Sequence, residues 1–283
     1  MKKLLVSLTM VALLSVCFIG SAAAQSVTER DAELLKNIQA KGVLKVGVAS
    51  TPPRWFQDPK TGDWQGIYYD FWTEFAKDLG VKLEVVGTTW DYIIAGLKAG
   101  NYDFAGPMSC TLKRALTVRF SVPTHYGEVY IMRLKKNQKF PNKESYRLAE
   151  FDRADVTAVV MSGSVQAEAL KRNVEKMKIN PLPGTPELWM AVKTGRADIA
   201  VGWAPEFDDY VAKNPDSVIN WLDPIIMKVG SAFAVRPTVS TADIEALNVF
   251  IDAVKLDGRL RGWFLKHSVV PKGYNMDKAL YPR

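Results

Sequence analysis

Few residues in this chain are equipped for covalent chemistry. Cys17 and Cys110 are the two cysteines, and His125 and His267 the two histidines. No pair of them sits at metal-ligand spacing. A nucleophilic Cys110 would need a base that only those two histidines can supply, so it reads as a small buried residue. Recognition chemistry is better represented. In "SCTLKRA", Arg114 carries a planar guanidinium that can donate two parallel charge-assisted hydrogen bonds to a carboxylate, a fork that Lys113 cannot reproduce. From spacing alone, with Lys113 and Arg119 close by, the first reading of Arg114 is still a surface helix arginine.

Elements able to position such groups alternate along the chain. Short β-rich runs fall at Leu44–Val48, Lys82–Val86, Phe104–Gly106, Thr157–Val160 and Ile199–Gly202. Amphipathic stretches fall at Tyr69–Leu79, Tyr92–Ala99, Gln166–Met177 and Pro186–Thr194, with Gly80, Gly100 and Gly195 just beyond helix ends. Strand followed by helix, repeatedly, predicts an α/β protein with mainly parallel sheets. "LKAGNYDFAG" and "VKTGRADIAVG" share one local plan of helix, glycine stop, aspartate and buried strand. This weak internal echo fits two similar α/β lobes.

Composition sets the class. Of 283 residues 48% are apolar, 24% charged and 11% aromatic, which excludes a disordered, collagen-like or disulfide-scaffold chain. The length favours two lobes over one core. Thirty-seven basic residues against 30 acidic ones give a net charge of +7, but no run of four basic residues occurs, so a nucleic-acid partner is not expected. At the start, Lys2 and Lys3 precede an apolar run from Leu4 to Gly20 and then Ser21-Ala22-Ala23-Ala24. Residues 1–24 read as a secretory signal cleaved before Gln25, with a membrane anchor as the alternative. Bulky Val16 beside Cys17 argues against lipidation. Cleavage leaves Cys110 as the single cysteine, without a disulfide partner in the chain.

The stretch from "LKVGVASTPPRWF" through "FAGPMSCTLKRALTVRFSVP", followed by "SGSVQAEAL", "GRADIAVGW" and "LDGRLRGWFLKHSVVPKGYN", resembles the periplasmic solute-binding proteins of the polar amino-acid type, family 3, over nearly all of the exported chain. The resemblance implies a two-lobed, type II periplasmic-binding-protein (Venus-flytrap) fold with two hinge crossings, near Thr124–Glu128 and Ile225–Val229. Residues 25–124 plus 229–283 would form the first lobe and 125–228 the second. It further implies a monomeric periplasmic receptor without cofactor or metal. That receptor closes on a small carboxylate ligand, an amino acid or a derivative of one, and presents it to the permease of an ABC importer. Arg114 aligns with the arginine that clamps the ligand carboxylate. Ser109 and the Gly106–Pro107 backbone match positions completing that site. Ser162 and Ser164 match a turn whose donors meet the same carboxylate at a helix start, and Ser164 doubles as a helix cap. Trp90 matches a ring that covers the ligand side chain, core packing being the alternative.

Two departures from the pattern stand out. Where amino-acid binders carry an aspartate for the ligand ammonium, this chain has Trp203. Either the ligand lacks a primary ammonium, or a ring face holds its cation with Glu206 or Asp208 assisting, or Trp203 simply packs. In "TPPRWF" the usual aromatic is replaced by Thr51, and Arg54 stands where a phenylalanine is usual. Arg54 is a candidate for a second acidic group, although a solvated loop arginine is the simpler reading, and Trp55 is a candidate stacking ring. Cyclohexadienyl dehydratases resemble the same family, so an enzyme is the alternative function. Their general acid falls at Gln166 here, which has no carboxylic proton, and Glu168 should point away around the helix.

Overall fold

A computed structural model describes residues 32–268 and Leu280; the signal segment expected at 1–24 lies outside the described residues. In chain order the first half contains α1 (Glu33–Lys41), β1 (Val43–Ala49), β2 (Phe56–Gln57), β3 (Trp64–Gln65), α2 (Ile67–Leu79), β4 (Lys82–Thr88), α3 (Ile93–Ala99), β5 (Phe104–Ser109), α4 (Leu112–Ala115) and β6 (Arg119–Phe120). There follow β7 (His125–Leu134), β8 (Ser145–Tyr146), β9 (Thr157–Met161), α5 (Val165–Asn173), β10 (Lys178–Leu182), α6 (Thr185–Lys193), β11 (Ile199–Trp203), α7 (Ala204–Lys213) and β12 (Ser217–Leu222). The chain closes with β13 (Lys228–Val235), α8 (Thr241–Leu256) and α9 (Arg259–His267).

Eight strands run in the order β10-β9-β11-β7-β13-β5-β1-β4, with β12 on β7, β6 on β13 and β8 on β12. β1 pairs in parallel with β4 and β5, and β9 in parallel with β10 and β11, as crossover helices require. The two parallel groups meet through one antiparallel pair: His125–Glu128 of β7 lie against Lys228–Ser231 of β13. Beyond this pair β7 continues into β11 and β12, whereas β13 continues into β5 and β6. The result is two α/β lobes joined by two extended crossings.

Each lobe buries its own apolar centre. In the first, Tyr68, Phe71, Trp72 and Phe75 of α2 pack against Phe104, Phe233 and the α8–α9 residues Phe250 and Phe264, so the carboxyl-terminal helices close the first lobe. In the second, Ile131, Phe151, Ala158, Val160 and Val201 share a core. The internal echo is a real structural repeat. Asp103 exchanges two hydrogen bonds with Lys45: its amide donates to the Lys45 carbonyl at 2.8 Å and its carboxylate accepts from the Lys45 amide at 2.9 Å. Asp198 does the same with Thr157, at 2.8 and 2.9 Å. In both lobes one aspartate therefore ties the strand after a helix to its parallel neighbour.

One helix is shorter than the expected Gln166–Met177. α5 stops at Asn173, because the Asp152 carboxylate accepts hydrogen bonds from the amides of Glu175, Lys176 and Met177 and draws that segment away from the helix. Among the described residues, no helix is long and apolar enough to cross a membrane.

Candidate functional site

A cleft lies between the lobes at the carboxyl ends of β1, β5 and β11, where open α/β sheets place ligands. Counting its mouth to solvent, it holds about 680 Å³. The first lobe contributes Arg54, Trp55, Tyr68, Trp90, Ser109 and Arg114, with Gly106 and Pro107 in the floor. The second contributes Met161, Ser164, Gln166, Leu188 and Trp203. Ser231 comes from the crossing strand β13.

Arg114 sits on α4, whose start is capped by the Thr111 hydroxyl accepting from the Arg114 amide at 3.3 Å. Its side chain is 9% exposed, so the surface-arginine reading fails. Nη1 donates to the Ser109 carbonyl at 3.2 Å and Nη2 to the Gly163 carbonyl, in the other lobe, at 3.4 Å. Its guanidinium carbon lies 5.8 Å from the centroid of the Trp90 ring. Burial lowers the Arg114 pKa, an effect opposed by the Glu168 carboxylate. A buried guanidinium anchored to backbone carbonyls is pre-oriented for an anion.

Ser164 lines the cleft and caps α5, its Oγ accepting from the Ala167 amide at 3.2 Å. Capping commits the hydroxyl oxygen as acceptor and leaves its proton available to a ligand. Ser162 is placed differently from its expected role at the carboxylate. Its Oγ donates to Asp91 Oδ2 at 3.1 Å across the lobe boundary, and it is not part of the cleft wall.

Trp203 both lines the cleft and packs. It is 9% exposed and belongs to the second-lobe core; a β-carbon at Gly127 of β7 would lie 3.0 Å from its ring. Trp90 packs against apolar groups of both lobes. Trp55 is buried on the cleft wall, and its indole Nε1 has no hydrogen-bond partner among the described residues.

Arg54 departs from the solvated loop reading. It lines the cleft at 7% exposure. Its loop is fixed by backbone bonds, Thr51 amide to Trp55 carbonyl at 2.8 Å and Tyr68 amide to Arg54 carbonyl at 3.0 Å.

Of the residues invoked for a cation, the Glu206 side chain lies outside the described residues, and Asp208 is buried but absent from the cleft wall. Burial alone raises the Asp208 pKa to about 7. Gln166 faces the cleft, while Glu168 points away to an ion pair with Lys113 of the other lobe at 2.7 Å. No group of three or more metal-ligating side chains occurs among the described residues.

Sequence reasoning missed Tyr68 and Ser231. Tyr68 Oη lies 2.6 Å from His125 Nδ1 and 3.0 Å from Thr124 Oγ1, tying the cleft wall to the first crossing. His125 is wholly buried, and burial, followed by the nearby Arg54 and Lys255 charges, pushes its pKa well below the usual histidine value. A tyrosine at the start of an amphipathic helix carries no local signal of such a role.

A bilobal α/β scaffold with an arginine-bearing interlobe cleft defines a solute-binding protein. Residues 44–267 match the model of the bacterial extracellular solute-binding proteins, family 3, and the chain belongs to that family. It is 27% identical over 209 residues to the L-cystine-binding protein TcyA of Bacillus subtilis, covering 70% of this chain and 72% of that one. It is 26% identical over 190 residues to a cyclohexadienyl dehydratase of Pseudomonas aeruginosa, covering 66% and 68%. Among solved structures it is similar to the ancestral amino acid-binding protein AncCDT-1, a precursor of cyclohexadienyl dehydratase, with a TM-score of 0.73 and 30% identity over 82% of this chain and 98% of that one.

Proposed function

We propose that this protein is a non-catalytic receptor that captures a small carboxylate solute outside the cytoplasm and delivers it to the membrane permease of an ABC importer. The observation that carries the reading is Arg114: a buried guanidinium on the first-lobe wall of the cleft, in contact with Gly163 of the second lobe. Ser109 from one lobe and Ser164 at the start of α5 from the other line the same cleft as Arg114 and would complete its carboxylate site. Bonds to both lobes on one ligand favour the closed arrangement, which is how binding becomes a shape change that a permease can read. The receptor acts as a monomer, with residues 25–124 plus 229–283 moving against 125–228. The amino-acid specificities in the names of its relatives support the carboxylate. The receptor reading is preferred to the dehydratase because Gln166 holds the place of the general acid and no carboxyl side chain lines the cleft among the described residues.

The test joins two measurements. A thermal-shift screen of amino acids, amino-acid derivatives and simple carboxylates should find stabilising ligands, a solute at 100 times its Kd adding roughly 2.7 kcal/mol. Small-angle scattering with the best of them should show a smaller radius of gyration at saturation. Binding without compaction would argue against closure, and failure of every carboxylate would overturn the reading.

A further inference from the structure

Tyr68 Oη lies 2.6 Å from His125 Nδ1 and 3.0 Å from Thr124 Oγ1, Nδ1 lies 3.2 Å from Thr124 Oγ1, and Thr124 Oγ1 donates to the Ser231 carbonyl at 3.0 Å. Tyr68, Thr124 and His125 are each 2% exposed or less, so bulk water does not share these contacts. Burial, followed by the Arg54 and Lys255 charges, keeps the His125 imidazole neutral, and a neutral ring carries one proton. Were that proton on Nε2, Tyr68 would have to donate to Nδ1. With the Thr124 proton committed to Ser231, Thr124 Oγ1 would then face both Tyr68 Oη and Nδ1 with no proton between them. Unfilled contacts of this kind are costly where buried. A proton on Nδ1 removes the conflict: it points at Tyr68 Oη and Thr124 Oγ1, whichever acceptor takes the Tyr68 proton.

These bonds sit where both crossings leave the first lobe. Tyr68 and Ser231 line the cleft, and His125 pairs with Ser231 across the two crossing strands. The Thr124 amide also donates to the Ser231 carbonyl, at 2.8 Å. Just before it, the Val122 amide donates to Asn248 Oδ1 at 2.8 Å and Lys255 Nζ to the Pro123 carbonyl, so α8 grips the same stretch. At the second-lobe end of the ladder Glu128 pairs with Lys228 at 2.9 Å. Between these fastened ends each crossing has a glycine, Gly127 and Gly230, on neighbouring rungs. Glycine takes up backbone excursions that other residues resist, and hinges commonly turn on a few such positions.

We propose that Tyr68 is a positioning residue for lobe closure: it holds an Nδ1-protonated His125 and with Thr124 ties the first-lobe ends of both crossings to the cleft wall, so that the lobes turn about the Gly127 and Gly230 rungs. The use made of this pivot rests on the receptor reading above, whereas the measurements that test it need no ligand.

The chain has two histidines, so the nitrogen-15 spectrum of its imidazoles is simple, and His267→Gln assigns it. In the ligand-free wild-type protein at neutral pH, His125 Nδ1 should give the signal of a protonated ring nitrogen and Nε2 that of a bare one. A proton on Nε2 would overturn the assignment. Amide hydrogen exchange tests the clamp. In the wild type the Thr124 amide should exchange as slowly as the buried amides of β1. Tyr68→Phe should speed exchange at Thr124 at least about tenfold while leaving β1 unchanged. His125→Leu should act in the same way, and His125→Asn, which keeps an N–H near the Nδ1 position, should restore most of the protection. A Thr124 amide as fast as an exposed loop in the wild type, no change in Tyr68→Phe, or equal acceleration in β1 would overturn the clamp. Equal exchange in His125→Asn and His125→Leu would overturn the role of the Nδ1 proton. Both wild-type measurements stand if a variant fails to fold, and none of these outcomes bears on whether a carboxylate binds.

Discussion

Ser162 Oγ donates a hydrogen bond to Asp91 Oδ2 at 3.1 Å, joining the second lobe to the first beside the cleft. Gly163 makes the approach possible: its φ is +66°, and a β-carbon there would fall 2.4 Å from Asp91 Oδ1. With the Lys113–Glu168 pair and the bond from Arg114 to Gly163, this makes three links between the lobes, which in a receptor that closes would act as a latch. A bond made only in the closed arrangement adds to ligand affinity by favouring closure. Asp91→Ala should weaken binding about five- to tenfold, about 1–1.4 kcal/mol, mainly through faster release. Stopped-flow fluorescence measures this directly, and an unchanged release rate would refute the latch.

Arg114 tests the carboxylate assignment. Arg114→Lys keeps the charge but loses the fork: with two of its three N–H groups on the Ser109 and Gly163 carbonyls, an ammonium has one left and cannot donate two parallel bonds to a carboxylate. Affinity for the best carboxylate should fall roughly a hundredfold, about 2.7 kcal/mol, with a cooperative melt retained. Calorimetry showing wild-type affinity would remove Arg114 from the site.

Much of this was legible in the chain because its signals are local. The "GRADIAVG" pattern places Asp198 just before a buried strand, and the structure uses it as Asp103 is used in the other lobe. Helix ends at Gly80 and Gly100 are written in single residues with left-handed backbone. What was not legible depends on groups far apart in sequence. Ser162 lies 71 residues from Asp91, and nothing in "SGS" says which of its two hydroxyls faces the cleft. Arg54 resembles any loop arginine until the turn from Thr51 and the start of α2 fold over it. The end of α5 was misjudged for the same reason, since Asp152 acts on it from 23 or more residues away.

Gln166 stands where the resemblance to cyclohexadienyl dehydratases implies a general acid. Cleft-facing and amide-bearing, it can donate a hydrogen bond but cannot transfer a carboxylic proton at neutral pH. Incubation with prephenate or arogenate should give no product above the uncatalysed rate by chromatography. Conversion abolished by Gln166→Ala would make the protein an enzyme.

Asp208 should shape the pH dependence of stability. Burial raises its pKa from 3.8 to about 7, so between those values the folded chain binds more protons than the unfolded one, and this group's contribution falls as pH rises. The penalty is complete above pH 7, at about 4 kcal/mol at most. Asp208→Asn should therefore be more stable than wild type at pH 8, by a margin that disappears toward pH 4. His125 acts with the opposite sign: its depressed pKa makes stability fall as pH drops below the unfolded histidine range. Because His125 is common to both proteins, the wild-type-minus-variant difference in urea denaturation isolates Asp208. A pH-independent difference would show that the carboxyl is solvated.

Trp203 stands where the resemblance to amino-acid binders implies an aspartate. Its ring lines the cleft while its flank seats on Gly127 of the crossing strand, so the residue joins the cleft wall to hinge packing. Trp203→Asp would place a carboxylate at the strand end, near any ligand ammonium and against any second acid, while removing an aromatic face. Preference should then invert: α-amino acids should gain about tenfold in affinity and the best wild-type ligand lose at least as much. Trp203→Phe keeps a ring and most of the packing, and should retain much of the wild-type affinity. Calorimetry on both variants is the primary measurement. Tryptophan fluorescence adds a local report only through the Trp203→Phe control, since the chain has eight tryptophans. Wild-type affinity in both variants would make the ring purely structural and leave the missing ammonium partner without effect on specificity.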